Sequence, residues 1–321
     1  MSPLLRRLLP VAVSLSLVAY LAATIDLRAA LAHLSFDTAL RFAGPLLLWN
    51  LATLAIESHC LHRVTAACGH PIEHLAAARI KAACYLLSLL HYTAGAAALS
   101  WLLRRRMQTG LAVAVSAVFL IALLDMGSVV GLAALAAAAL PEAGAALRGG
   151  LLAGLSLAAL GGFAFLRAPR TLGLLEPLRA LPVLQAARTI RTGWLLELAA
   201  LRVLFVASYV ALTAALFRAF DVEFTLVALA MKVAILLAIS AVPIAAAGIG
   251  TAQLAFVTLF RGSAPDAELL SMSVLLSLGL TLARALLGLL FSRELVRDVV
   301  ALQSSMRAES TRSSRDDSRR R

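Results

Sequence analysis

The chain has 321 residues, 61% of them hydrophobic and 14% charged, with 29 Lys and Arg against 17 Asp and Glu for a formal net charge of +12. A mean hydropathy of +0.91 excludes an ordinary soluble domain and leaves a polytopic membrane protein. Most basic residues fall in short segments between apolar runs and in the C-terminal tail, where anionic headgroups attract them, so the charge points to a membrane surface and not to nucleic acid.

The first segment, "MSPLLRRLLPVAVSLSLVAYLAATI", has a basic start and an apolar core long enough to span; it reads as a retained helix with its positive end inside, not as a cleavable signal. Apolar segments lie at about 8 to 25, 42 to 58, 82 to 103, 110 to 140, 147 to 166, 194 to 217, 224 to 260 and 268 to 292. A spanning helix needs roughly 20 apolar residues, which makes six of these plain spans. Two differ. Segment 82 to 103 carries "HYTAGA" (His91 to Ala96) at its centre, and segment 224 to 260 is too long for one crossing and is broken at Pro243, Gly248 and Gly250.

Lys and Arg near span ends favour the cytoplasm. If every segment crossed once, Arg104 to Arg106 and the loop holding Arg167, Arg170, Arg179, Arg188 and Arg191 would both lie outside. If 82 to 103 instead enters from the cytoplasm and returns, and 224 to 260 enters from the opposite side and returns, these arginines, Arg63, Arg79, Lys81 and the arginines of the tail all face inward. The sequence therefore predicts an all-α polytopic protein of about six full spans and two opposed re-entrant or broken hairpins, with both termini cytoplasmic in a cell inner membrane. Residues 1–140 form a first membrane repeat and 141–292 a second, inverted one, each ordered span, span, hairpin, span. Residues 293–321 form a basic cytoplasmic tail whose last part is too polar to fold alone.

Inverted repeats with broken helices near the midplane are a transporter architecture. Non-helical backbone at that depth must be covered by protein or line a water-filled cavity. Pro243 removes a backbone donor, Gly248 and Gly250 permit a reversal, and His91 and Gly95 mark the corresponding break in the first repeat. A proline kink packed against neighbours, with no ligand, is the alternative for this stretch. Asp125, Glu197, Arg202, Lys232 and Arg284 stand within apolar segments, at about 2.5–3.5 kcal/mol each near a helix centre on insertion scales, so they require partners or water. Arg284 and Lys232 are candidates to hold a phosphate, and Asp125 could pair with either; buried ion pairs fixing helix register are the alternative. Glu57 and Arg202 stand nearer span ends, where long side chains snorkel. The candidate substrate-binding set is thus Arg284, Lys232, Gly248, Gly250, Pro243, Asp125, His91 and Gly95.

"HCLHRVTAACGHPIEH" gathers four of the six histidines with Cys60 and Cys68, but at no standard zinc spacing, and Cys84 makes no CxxC pair. No metal and no cofactor is expected. Gly248-Ile-Gly250 lacks the third glycine and the preceding strand of a dinucleotide site, and no Walker loop, G-x-S-x-G elbow or HExxH occurs. Gly150 and Gly154 form a GxxxG, read as close helix packing. "RAPRTLGLLEPLRALPVLQAAR" reads as short helices lying on the inner leaflet.

"AVPIAAAGIGTAQLAFVTLF" followed by "RGSAPDAELLSMSVLLSLGLTLARALLGLL" resembles the closing motif of the flippase-like family, also called the lysylphosphatidylglycerol synthase transmembrane region. The matching residues are Pro243, Ile244, Gly248, Gly250 and Arg284. "LLHYTAGAAALSWLLRRRMQTGLAVAVSAVFLIALLDM", ending at Asp125, resembles the family's first motif. The chain departs from the pattern at three places: Gly95-Ala96 stands for Gly-Glu, Ile121-Ala122 for Glu-Arg, and Gln253 for an acidic residue. The soluble aminoacyl-transfer domain carried by some relatives is not expected here, since the sequence passes into a polar tail.

The resemblance implies a non-enzymatic translocator moving a phosphate-bearing lipid or glycolipid between leaflets, its partners being anionic or polyprenyl-linked membrane lipids. A non-transporting subunit that binds lipid or a partner enzyme of envelope lipid biosynthesis is the alternative, favoured by the missing family charges. A membrane-embedded transferase would need Asp125 or His91 as acid or base and has no supporting nucleophile or metal constellation.

Overall fold

The computed structural model describes residues 35–90, 92–140, 144–167, 173–241 and 250–291. The expected first span at 8 to 25, the tail from 293, and His91, Pro243 and Gly248 lie outside the described residues. Everything described is helix, turn or loop, with no strand.

Five helices are long and apolar enough to cross a membrane: α1 (Phe36–Ala67), α4 (Leu111–Ala139), α5 (Ala145–Arg167), α8 (Thr192–Ala219) and α11 (Asp266–Leu290). They coincide with five of the six segments read as plain spans. Helix α1 starts where Ser35 Oγ accepts the Thr38 backbone N–H at 3.0 Å, and its chain turns away at Gly69, φ +81°.

Each interrupted segment folds as two short helices running out and back. The first is α2 (His74–Leu90) and α3 (Tyr92–Met107); Glu73 and Arg79 at its start share a small cavity with Arg106 at its end. The second is α9 (Leu226–Ala241) and α10 (Thr251–Phe260); Thr225 at its start shares a cavity with Phe260 and Gly262 at its end. The first hairpin closes tightly. A Cβ on Gly95 would stand 1.9 Å from Ser88 Oγ and 3.0 Å from Ser88 Cα, so only glycine lets α3 lie against α2 there. Gly288 of α11 approaches α2 as closely, with 2.6 Å from an added Cβ to Leu86 Cγ.

Between α5 and α8 the chain forms α6 (Glu176–Arg179) and α7 (Gln185–Thr189) with two 3-10 turns. This stretch does more than lie on a surface: Ala186, Ala187 and Ile190 are buried, and the Ala186 N–H donates to Ser116 Oγ of α4 at 2.8 Å. Among the described residues, nothing packs closely on the GxxxG of α5. Among the described residues no atom comes within 4 Å of a Cβ placed on Gly150 or Gly154, and no residue of α5 is buried.

Side-chain contacts define the two ends of the bundle. His59 of α1 meets His74 of α2 and Glu197 of α8 at one end, the end that also carries Arg63, Arg79, Arg104 to Arg106, Arg179 and Arg188. Arg41 of α1 pairs with Asp221 after α8 at the other, beside Phe217 and Phe260. Each end has its own apolar core, one built on Phe42, Phe217, Phe256 and Met272, the other on Leu61, Ile80, Leu102 and Leu120. Along α1, Glu57 falls between Trp49 of the first core and Cys60 of the second, where apolar packing gives way to polar groups.

Candidate functional site

Lys81, Cys84, Tyr85 and Ser88 recur at helical spacing on one face of α2, and that face meets Glu57 of α1, Gly95 of α3, Asp125 of α4 and Arg284 of α11 around a cavity of about 150 Å³. That volume corresponds to roughly five waters at ~30 Å³ each, enough for a phosphate-sized group. Tyr85 Oη donates to Glu57 Oε2 at 2.5 Å, and Lys81 Nζ stands 3.6 Å from Glu57 Oε1. Both charges of that pair are largely withdrawn from solvent, with side-chain exposures of 21% and 14%.

Asp125 is neutralised from behind. Arg202 Nη1 of α8 stands 2.6 Å from Asp125 Oδ1. The Arg202 side chain is 4% exposed, so it does not snorkel as its position in the sequence suggested, and its Nη2 is buried with no hydrogen-bond partner among the described residues. Asp125 therefore pairs with neither Arg284 nor Lys232.

Among the described residues, no carboxylate engages Arg284 directly. Its guanidinium lies 5.9 Å from the Trp49 ring centroid and 5.7 Å from that of Tyr85. No hydrogen-bond or ion-pair partner reaches it among the described residues. Counting Lys81, Arg202 and Arg284 against Glu57 and Asp125, the cluster carries one excess positive charge; the two aromatic faces help to hold the Arg284 guanidinium there, and a low dielectric strengthens its pull on an anion.

The remaining sequence candidates fall elsewhere. Lys232 lines a separate cavity at the far end of the bundle, its Nζ 5.5 Å from the Phe260 ring centroid. Gly250, with φ +92°, starts α10; its N–H donates to Gln253 Oε1 at 2.7 Å, and Gln253 Nε2 donates to Ser277 Oγ of α11 at 3.2 Å. The residue standing at the family's acidic position thus caps a helix and ties it to its neighbour. The structure brings together Arg284, Asp125 and Gly95, and adds Glu57, Lys81 and Tyr85. The signal for Lys81 and Tyr85 was the spacing 81, 85, 88 on one face of α2; Glu57 had none of this kind.

The histidine-rich stretch forms a cluster. His59 Nδ1 and His74 Nε2 are 3.0 Å apart, His59 Nε2 is 3.1 Å from Glu197 Oε1, and Arg63 Nε donates to the same carboxylate oxygen at 2.7 Å. The His62 and His74 rings stack with centroids 3.9 Å apart. Among the described residues no group of three or more His, Cys, Asp or Glu is arranged to hold a metal ion. His74, at the mouth of the first hairpin, titrates below its ordinary value of 6.5, first because its neighbours withdraw it from water and then because His62, His59 and Arg63 stand near.

Comparison with known proteins adds one match. No curated protein and no solved structure matches the chain significantly. The profile of the lysylphosphatidylglycerol synthase TM region matches residues 7–307, the greater part of the sequence. The chain belongs to this family, whose members share a membrane region linked to lipid chemistry.

Proposed function

We propose that this protein moves a phosphate-bearing lipid between the leaflets of a bacterial-type inner membrane, holding the headgroup at Arg284 during passage. The observation that carries the reading is the uncompensated guanidinium in a polar cavity between a helical hairpin and three long apolar helices. A cation at that depth is costly unless water or an anion reaches it. Glu57 and Asp125, already paired, would repel a second anion less than free carboxylates do. The two hairpins are the re-entrant elements of the two halves 1–140 and 141–292, related by an inverted repeat, and alternating access rocks them about the cavity. The arginine-rich end faces the cytoplasm.

Two of the three places where the chain departs from the family pattern, Ala96 and the pair Ile121-Ala122, line this same cavity. That coincidence supports the cavity as the working site. It also favours a second reading, a non-transporting subunit that binds lipid or an enzyme of envelope lipid synthesis, because ionisable groups are replaced by apolar ones.

Reconstitution into vesicles with a fluorescent anionic phospholipid, followed by chemical quenching of the outer leaflet, separates the two. Charge-assisted contacts of ~1.5–3 kcal/mol correspond to roughly 10- to 100-fold in affinity. Arg284→Ala is expected to slow exchange by about tenfold or more, and Arg284→Lys by less. Equal rates for wild type, both variants and empty vesicles, with each variant monodisperse, would exclude transport and leave the subunit reading.

A further inference from the structure

The cavity at the mouth of the second hairpin has a chemistry of its own. It measures about 520 Å³ and lies between the loop after α8 and the loop after α10. Two opposite charges face it, Glu223 and Lys232, yet they form no ion pair with each other and neither has a hydrogen-bond or ion-pair partner among the described residues. Phe217, Phe224 and Phe260 complete the wall. Lys232 is half-buried, with its ammonium against the Phe260 ring, while Glu223 stands at the exposed rim. Lys232 lies about 9 Å along α9 from its start, at the end of the second turn, whereas Arg284 lies about 27 Å along α11 from that helix's start at the same end, at 1.5 Å per residue. The two cations therefore serve different depths.

An unpaired carboxylate suits an ammonium, and an unpaired lysine suits a phosphate. The Phe224 and Phe260 rings already carry Arg218 and Lys232, at 5.8 Å and 5.5 Å from their centroids, so the carboxylate is the group left for an amine. We infer that this cavity binds a zwitterionic phospholipid headgroup, a phosphate and an amine joined by a short spacer, with the phosphate at Lys232 and the amine at Glu223. A free anion would meet repulsion from Glu223, and a free amine repulsion from Lys232; only a group carrying both signs satisfies both side chains. The lipid source follows from placement, since the cavity lies at one end of helices long and apolar enough to cross a membrane, the end at which headgroups would meet it. This inference rests on the reading that the chain handles membrane lipids but not on transport through the Arg284 cavity.

The test uses the full chain in phosphatidylglycerol nanodiscs, titrated with dihexanoyl phosphatidylethanolamine or dihexanoyl phosphatidylglycerol, with retained short-chain lipid counted by native mass spectrometry. The wild type is expected to retain the ethanolamine lipid about tenfold more tightly; Glu223→Gln removes that preference, Lys232→Gln weakens both lipids about tenfold, and Lys232→Arg keeps binding. The readout of this site is the ethanolamine-over-glycerol preference and not total retention, and that preference is expected to persist in Arg284→Ala whatever lipid the central cavity loses. A preference that survives Glu223→Gln, or a loss in Lys232→Arg equal to that in Lys232→Gln, overturns the assignment. Equal retention of the two lipids by the wild type does the same, and loss of the ethanolamine preference in Arg284→Ala moves the binding to the central cavity. Competition by soluble phosphoethanolamine at equal concentration would overturn the lipid source.

Discussion

Arg202 of α8 and Asp125 of α4 meet at 2.6 Å, and the pair ties α4 to α8. Removing a wholly buried partner costs about 3–5 kcal/mol, because the charge left behind is desolvated and alone. Asp125 is 42% exposed while Arg202 is 4% exposed, so solvent relieves part of the loss. Asp125→Ala is therefore expected to destabilise the protein by roughly 2 kcal/mol, and Arg202→Met by less, since its partner can hydrate. The double variant should recover much of the loss. Thermal unfolding in detergent checks this; equal and additive losses would show that the two residues are not coupled.

Gly95 is expected to be intolerant of any side chain. An added Cβ meets the backbone of α2 as well as the movable Ser88 hydroxyl, so rotation of Ser88 alone does not make room. Overpacking of this kind costs about 1–3 kcal/mol. Gly95→Ala should lower the unfolding temperature, and Ser88→Gly in the same chain should restore part of it. If Gly95→Ala unfolds at the wild-type temperature, the helices of the first hairpin are farther apart than described.

These contacts show which parts of the molecule the sequence discloses. Length and hydropathy identified α1, α4, α5, α8 and α11, because a run of about 20 apolar residues has few other fates. The interruption of segment 82 to 103 was legible from "HYTAGA", and the out-and-back course of α2 and α3 followed from the arginines at its end. The pairing inside the cavity was not legible. Asp125, Arg202 and Arg284 are on three helices distant in sequence, and which carboxylate meets which cation depends on helix rotation, which hydropathy does not encode. Lys232 looked adjacent to Arg284 because both flank one hairpin, yet the return of α10 carries the chain back to the bundle end before α11 descends. Lys81 and Tyr85 were readable in principle as residues one turn apart on the face of α2 that carries Ser88.

The histidine cluster predicts a pH dependence with a definite sign. The folded state holds His74 below its ordinary 6.5, so below that pH the unfolded chain binds more protons than the folded one. Stability should be full above about pH 6.5 and decline as the pH falls through that value toward the lowered folded one. His74→Asn should flatten this decline between about pH 7.5 and about pH 5.5. Unfolding temperatures at the two pH values provide the measurement, and a protein that gains stability on acidification would reverse the assignment.

The opposed hairpins predict an accessibility pattern that full crossings do not. If α2 and α3 enter and leave on one side, His70 before them and Gln108 after them share a compartment, and both are exposed. If α9 and α10 do the same on the other side, Ser263 shares the opposite compartment with Glu223. With Cys60, Cys68 and Cys84 replaced, single cysteines at 70, 108, 223 and 263 can be labelled in intact cells by a membrane-impermeant maleimide. Positions 223 and 263 are expected to react at once, and positions 70 and 108 only after permeabilisation, because the positive-inside bias places the arginine-rich end in the cytoplasm. Labelling of 108 but not 70 in intact cells would make segment 82 to 103 a single crossing. The Arg284 cavity would then lie beside a span and not within a hairpin, and the alternating-access reading would fall with it.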